Sequence, residues 1–274
     1  MVAAGMVVAA GAGVCFEVSY LLQAIEARAI APERTATGVL GPLLRRPRWL
    51  LGLALAAAGT LLQVFALHLA PITAVQPTLA LGIVGLVVFG GRLLGEPADL
   101  AAALVLAGGV ALLGIAGSGV EHEPVHDVAV AITFVVLGGF LAAALLRPRL
   151  SPVWLVLGAG AGDALVALAA ARLADALDPF DAVAAIGWFV LAGLAVTGSL
   201  SAEMTALGRW PATRVGPFVL VCQTVIPILL APVVLGEDWS HRAPLVVVGL
   251  MLTSAGAWRL AASGGLLEHR KAIE

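Results

Sequence analysis

Three carboxylates, Glu17, Asp163 and Glu203, sit inside long apolar runs of the sequence. An ionisable group in apolar surroundings is costly to bury, so it normally faces a protein interior and marks a place where a cation binds or a proton moves. Asp163 follows a run of small residues, Gly158-Ala159-Gly160-Ala161-Gly162, which lets helices approach closely around it. There it can bind a cation or carry a proton; the plainer reading is a carboxyl bonded to neighbouring backbone. Glu17 belongs to a polar stripe with Ser19, Tyr20 and Gln23, whose spacings put most of them on one side of a helix. Its alternative is to reach back to an aqueous interface. Gln63, Gln76 and Gln223 interrupt other apolar runs. They can line a polar path, although for Gln76 and Gln223 hydrogen bonds between packed helices, about 0.6 to 2 kcal/mol each, are an equally good explanation.

Other chemistry is absent from the sequence. It has no phosphate-binding Walker run, no G-x-S-x-G and no H-E-x-x-H, so neither ATP hydrolysis nor soluble hydrolase chemistry is expected. Cys15 and Cys222 stand alone in apolar runs and read as buried thiols. His122 and His126, with Glu121, Glu123 and Asp127, lack a strong ligand spacing and read as a solvated acidic loop. No enzyme activity, no cofactor and no nucleic-acid partner is expected.

The elements that must position these residues follow from composition. Of 274 residues, 61% are hydrophobic and only 12% charged, with a mean hydropathy of +1.05. A soluble domain carries about 25% charged residues. The chain therefore requires a lipid bilayer as its second solvent. Its continuous Ala-, Leu-, Val- and Gly-rich runs exclude the alternating pattern of a membrane barrel. With about 20 apolar residues per crossing, nine spans are predicted, over residues 2–24, 49–69, 72–93, 98–117, 127–146, 153–173, 184–207, 213–235 and 243–262. The fold class is an all-α membrane protein.

Charge gives orientation. Strict alternation of nine spans puts the loop 25–48, with Arg28, Arg34, Arg45, Arg46 and Arg48, on one side. The same side receives Arg92, Arg147, Arg149, Arg209, Arg214, Arg259, Arg270 and Lys271, leaving only Arg172 and Arg242 opposite. By the positive-inside rule the N-terminus is outside and the C-terminus inside. Trp49, Trp154, Trp210 and Trp258 fall near span ends and are expected at the membrane interface.

The chain also repeats itself. Pro71, Thr73, Val75 and Pro77 align without a gap on Pro211, Thr213, Val215 and Pro217. One inserted residue later, Leu94-Gly95-Glu96 aligns on Leu235-Gly236-Glu237, and Gly108 on Gly249. Spans two to four thus match seven to nine. The odd offset of five makes equivalent helices cross in opposite senses, an inverted-topology repeat of four plus five helices. The first repeat covers 1–118 and includes the basic loop 25–48; the second covers 127–262, and 263–274 is a cytoplasmic tail. In this alignment Glu203 takes the place of Gln63, an asymmetry suited to proton or cation coupling. Glu96 and Glu237 end their helices at Gly-Glu, where a structural or gating role is expected.

The run Trp49, Gly52, Gly59, Gln63, Ala66-Leu67, Ala70-Pro71, Val75-Gln76-Pro77, Gly95-Glu96 and Gly108, with its partial copy Ala206-Leu207, Pro211-Ala212, Val215, Pro217, Gly236-Glu237 and Gly249, resembles the drug/metabolite transporter superfamily. The likeness is to its EamA-like and NIPA-like branches. Many members have ten spans, and this chain departs by lacking the first. The long basic loop after span one is similar to that of NIPA-type magnesium transporters. The resemblance implies secondary transport of a metabolite- or drug-type solute across the cell (inner) membrane, with magnesium or another divalent cation as the alternative cargo. A non-transporting membrane subunit is the reading from another class. Asp163, Glu17 and Glu203 are the expected cargo or proton ligands, with Gln63, Tyr20, Gln76 and Gln223 as polar lining. The expected partners are the small-molecule or cation cargo and the lipid bilayer; a homodimer is left open.

Overall fold

The computed structural model describes residues 2–29, 39–80, 99–117, 121–122, 125–147, 151–177, 180–210 and 212–271. Residues 81–93 of the third predicted span, part of the basic loop and Glu96 lie outside the described residues. The helices are α1 (Val2–Arg28), α2 (Leu40–Leu43), α3 (Pro47–Leu69), α4 (Ile72–Ala80), α5 (Leu100–Gly117), α6 (Asp127–Leu146), α7 (Pro152–Ala176), α8 (Ala182–Leu207), α9 (Ala212–Val234) and α10 (Ala243–Lys271). Two short strands, β1 (Glu121–His122) and β2 (Glu237–Asp238), pair antiparallel between the helices.

Local chemistry sets the helix ends. Pro47 and Pro152 open α3 and α7, where the missing N–H has no intrahelical partner to lose. Ala70 is extended, at φ −152°, as a residue before proline prefers, and this breaks α3 from α4. Asp181 caps α8 by accepting hydrogen bonds from Val183 N and Ala184 N, each at 3.0 Å.

Helices α1, α3, α6, α7 and α8 contain stretches long and apolar enough to cross a membrane; α5 and α9 contain shorter apolar stretches. The outward side chains of α6 and α8, Val128, Ile132, Val135, Val183, Ile186 and Phe189, are more than half exposed. An apolar surface of that breadth needs a nonaqueous neighbour, as a membrane protein provides. Trp154 and Trp258 are exposed, but Trp49 does not face outward toward an interface: it is 1% exposed, inside a cluster with Leu43, Met204 and Leu207. Packing between distant helices overrides the general preference of indole for the interface.

Helix α7 is central. Its neighbours are α3, α6, α8 and α9, and its glycines make the approach close. A Cβ on Gly158 would lie 2.5 Å from Ala144 Cβ of α6, one on Gly162 would lie 2.6 Å from Ser199 Cβ of α8, and one on Gly160 would meet Cys222 Cβ of α9. The pairings α1 with α3, α1 with α4 and α4 with α5 are matched by α7 with α8, α7 with α9 and α9 with α10. Between these sets, α5 packs on α10, α4 on α9, α3 on α7 and α1 on α8.

Candidate functional site

Six helices enclose a cavity of about 180 Å³. Each contributes residues at helical spacing, so one face of each is turned inward. Glu17, Tyr20 and Gln23 come from α1, Thr60 and Gln63 from α3, and Gln76 and Leu79 from α4; α7 gives Asp163, α8 gives Ser199 and Glu203, and α9 gives Val219 and Gln223. All seven residues singled out from the sequence line this one space. Glu17 does not reach back to an interface, and Glu203 faces the cavity although it stands one turn from the end of α8.

Among the described residues, the lining has three carboxylates and no lysine, arginine or histidine. Glu203 lies within electrostatic reach of both Asp163 and Glu17, and the Ser199 side chain lies beside Asp163. Like charges gathered without a counter-ion in a weakly polar space repel strongly, which favours an entering cation or retained protons. The surrounding dipoles are adaptable. Gln23 Nε2 donates to Ser19 Oγ at 2.6 Å, while Gln23 Oε1 and Gln76 Nε2 are buried with no partner among the described residues. Buried polar atoms normally find partners, so these two are poised for a ligand or water. The cavity volume is below the roughly 300 to 1,000 Å³ of drug-sized pockets and corresponds to several water molecules at about 30 Å³ each. Among the described residues, no three His, Cys, Asp or Glu side chains gather closely enough to hold a bare metal ion.

Thr60 and Ser199 are lining residues that sequence reading passed over. For Thr60 the repeat alignment held the signal: extended backwards without a gap, it lays Ala56, Thr60 and Gln63 on Val196, Leu200 and Glu203, all six of which line the cavity, whereas Ser199 falls on Gly59, which is not a lining residue. Gln76 and Leu79 likewise fall on Gly216 and Val219, also lining residues.

The polar groups at the helix ends remain outside this space. Glu121 and His122 form β1, paired with Asp238 and Glu237 of β2, while Glu26 and Arg46 form an ion pair at 3.1 Å. No protein-family model, curated protein or solved structure matches the chain.

Proposed function

We propose that the chain is a secondary-active transporter that moves a small cationic solute by alternating access through the central cavity. The observation that carries this reading is the lining itself: three carboxylates, four glutamine amides and, among the described residues, no basic group, on helices from both halves of the chain. Cation and proton compete for the same carboxylate oxygens, so an ion gradient can drive the exchange.

The nine-span, inverted-repeat topology, with residues 1–118 and 127–262 as halves, belongs to this proposal. It is supported by the way the helix pairings exchange between the halves and by the coincidence of the lining positions under the repeat alignment. The charge asymmetry supports an N-outside orientation. The likeness to the drug/metabolite transporter superfamily, resting on the motif residues, points the same way. A hydrated divalent cation such as magnesium is the second reading, favoured by the carboxylate count; magnesium keeps several of its waters when bound, so the spread of the carboxylates suits it.

The test is thermal stabilisation of the purified protein by ammonium, methylammonium, guanidinium and magnesium salts, repeated at two pH values with sodium as the ionic-strength control. A ligand that binds the folded state raises its melting temperature. At least one cation is expected to stabilise the protein more at the higher pH, and Glu203→Gln is expected to reduce the effect. Equal melting in every salt, for both proteins, removes the cation reading.

A further inference from the structure

We propose that Glu237 is a latch between the two halves, holding the cavity shut on the side opposite the arginine-rich loop, and that its release opens that side. The direction of opening rests on the transporter reading above; the contact itself does not. Glu237 is 2% exposed and belongs to β2, just beyond the end of α9. Its carboxylate accepts hydrogen bonds from Ile72 N at 2.6 Å, Thr73 N at 3.2 Å and Thr73 Oγ1 at 2.9 Å. These are donors of the first turn of α4, more than 160 residues away in the chain. A helix N-terminus has unsatisfied N–H groups and a positive dipole end, and here the carboxylate that satisfies them comes from the other repeat.

The chain is built to bring this carboxylate back. Gly236 has φ 70°, a left-handed conformation that glycine adopts without strain, and it turns the backbone sharply after α9. Pairing of β2 with β1 then fixes the direction of the segment. Beneath the contact lies apolar packing: Ile72 packs with Leu168, Ala231 and Val234, while Val75 and Leu79 pack with Ala9, Ala12 and Ala66. Gln76 of the cavity stands one turn beyond Thr73. Moving the start of α4 away from Glu237 therefore separates these apolar layers and shifts a cavity residue together. The carboxylate can exchange these α4 donors for water, so the contact is reversible in a way that apolar packing alone is not.

The experiment uses the full chain in proteoliposomes of known orientation, with Cys15→Ser and Cys222→Ser in the background and Thr60→Cys as the reporter on the cavity wall. A membrane-impermeant maleimide is added from one side at a time. Slow labelling from the side opposite the arginine-rich loop is expected for the parent. Glu237→Gln and Glu237→Ala are expected to speed it at least tenfold, with no increase from the arginine-rich side. Thr73→Val, which removes only the hydroxyl donor, is expected to give a smaller increase, about threefold. Combined with Glu237→Gln it should add nothing, because both changes break one contact. Unchanged labelling in Glu237→Gln and Thr73→Val overturns the latch. So does an equal increase from both sides, which marks a loosened bundle. Side-specific release without cation flux in any variant leaves the latch standing and removes the transporter reading; flux with indifferent labelling does the reverse.

Discussion

Gly160→Ala tests whether α7 is held at the distance that places Asp163 in the cavity. The added Cβ would fall on Cys222 Cβ and lie 3.0 Å from the cysteine sulphur, whereas carbon atoms rest about 3.5 to 4.0 Å apart. The clash is with the root of a side chain, not its flexible tip, so α7 and α9 must separate. Overpacking of this kind costs about 1 to 3 kcal/mol, against a gain of about 1 kcal/mol from replacing glycine inside a helix. The net expectation is destabilisation by up to about 2 kcal/mol, a fall of several degrees in the melting temperature measured in detergent. Gly138→Ala supplies the opposite sign: nothing lies within 4 Å of its added Cβ, leaving only the helix gain. Cys222→Gly removes the obstructing atom, so the double variant should recover at least about 1 kcal/mol relative to the sum of the single changes. If Gly160→Ala is as stable as Gly138→Ala, or the double variant is merely additive, the close approach of α7 and α9 is wrong.

Two further predictions concern the loops. The Ser240 backbone and side chain donate to Asp238 at 2.8 and 3.0 Å, and these bonds, with the nearby His241, hold its carboxyl below the ordinary carboxylate range. A depressed folded value means that the stabilisation is present above the unfolded pKa of about 3.9 and is lost as pH falls through the folded value. Asp238→Asn should therefore melt lower than the parent at pH 7, and the gap should shrink as the pH falls below the unfolded value and through the lower folded one; a gap that does not narrow with acidification contradicts the assignment. Asp181→Ala removes the cap of α8 and should cost about 1 kcal/mol in chemical denaturation, with Asp181→Ser restoring most of it.

Much of this arrangement was legible in the sequence because it rests on local, costly choices. A carboxylate in an apolar run has few places to go, so Glu17, Asp163 and Glu203 announced an interior polar space before any helix was positioned. The apolar runs located the helices because a chain in lipid must satisfy its backbone internally. Long-range placement was less accessible. Nothing near Glu237 in sequence identifies Ile72 and Thr73 as its donors, and the two-residue ribbon of β1 and β2 is too short to leave a periodic signal. Trp49 misled for the same reason: indoles near span ends favour an interface on average, but α2, α3 and α8 enclose this one. The spacing of Thr60 did carry information, visible once the repeat alignment was extended toward the cavity-lining turns; Ser199 falls on Gly59, outside the lining, and had no such signal.

Cation transport through the acidic cavity is the function proposed for this chain. Its most direct test is flux of ammonium, methylammonium, guanidinium and magnesium into proteoliposomes containing the parent protein, each single variant Glu17→Gln, Asp163→Asn and Glu203→Gln, and the triple variant. All proteins are first matched for folded amount. Flux of at least one cation is expected for the parent, with a loss of tenfold or more in at least one single variant and background flux in the triple variant. Folded triple variant that transports as fast as the parent, or a parent that passes none of these cations, would contradict it.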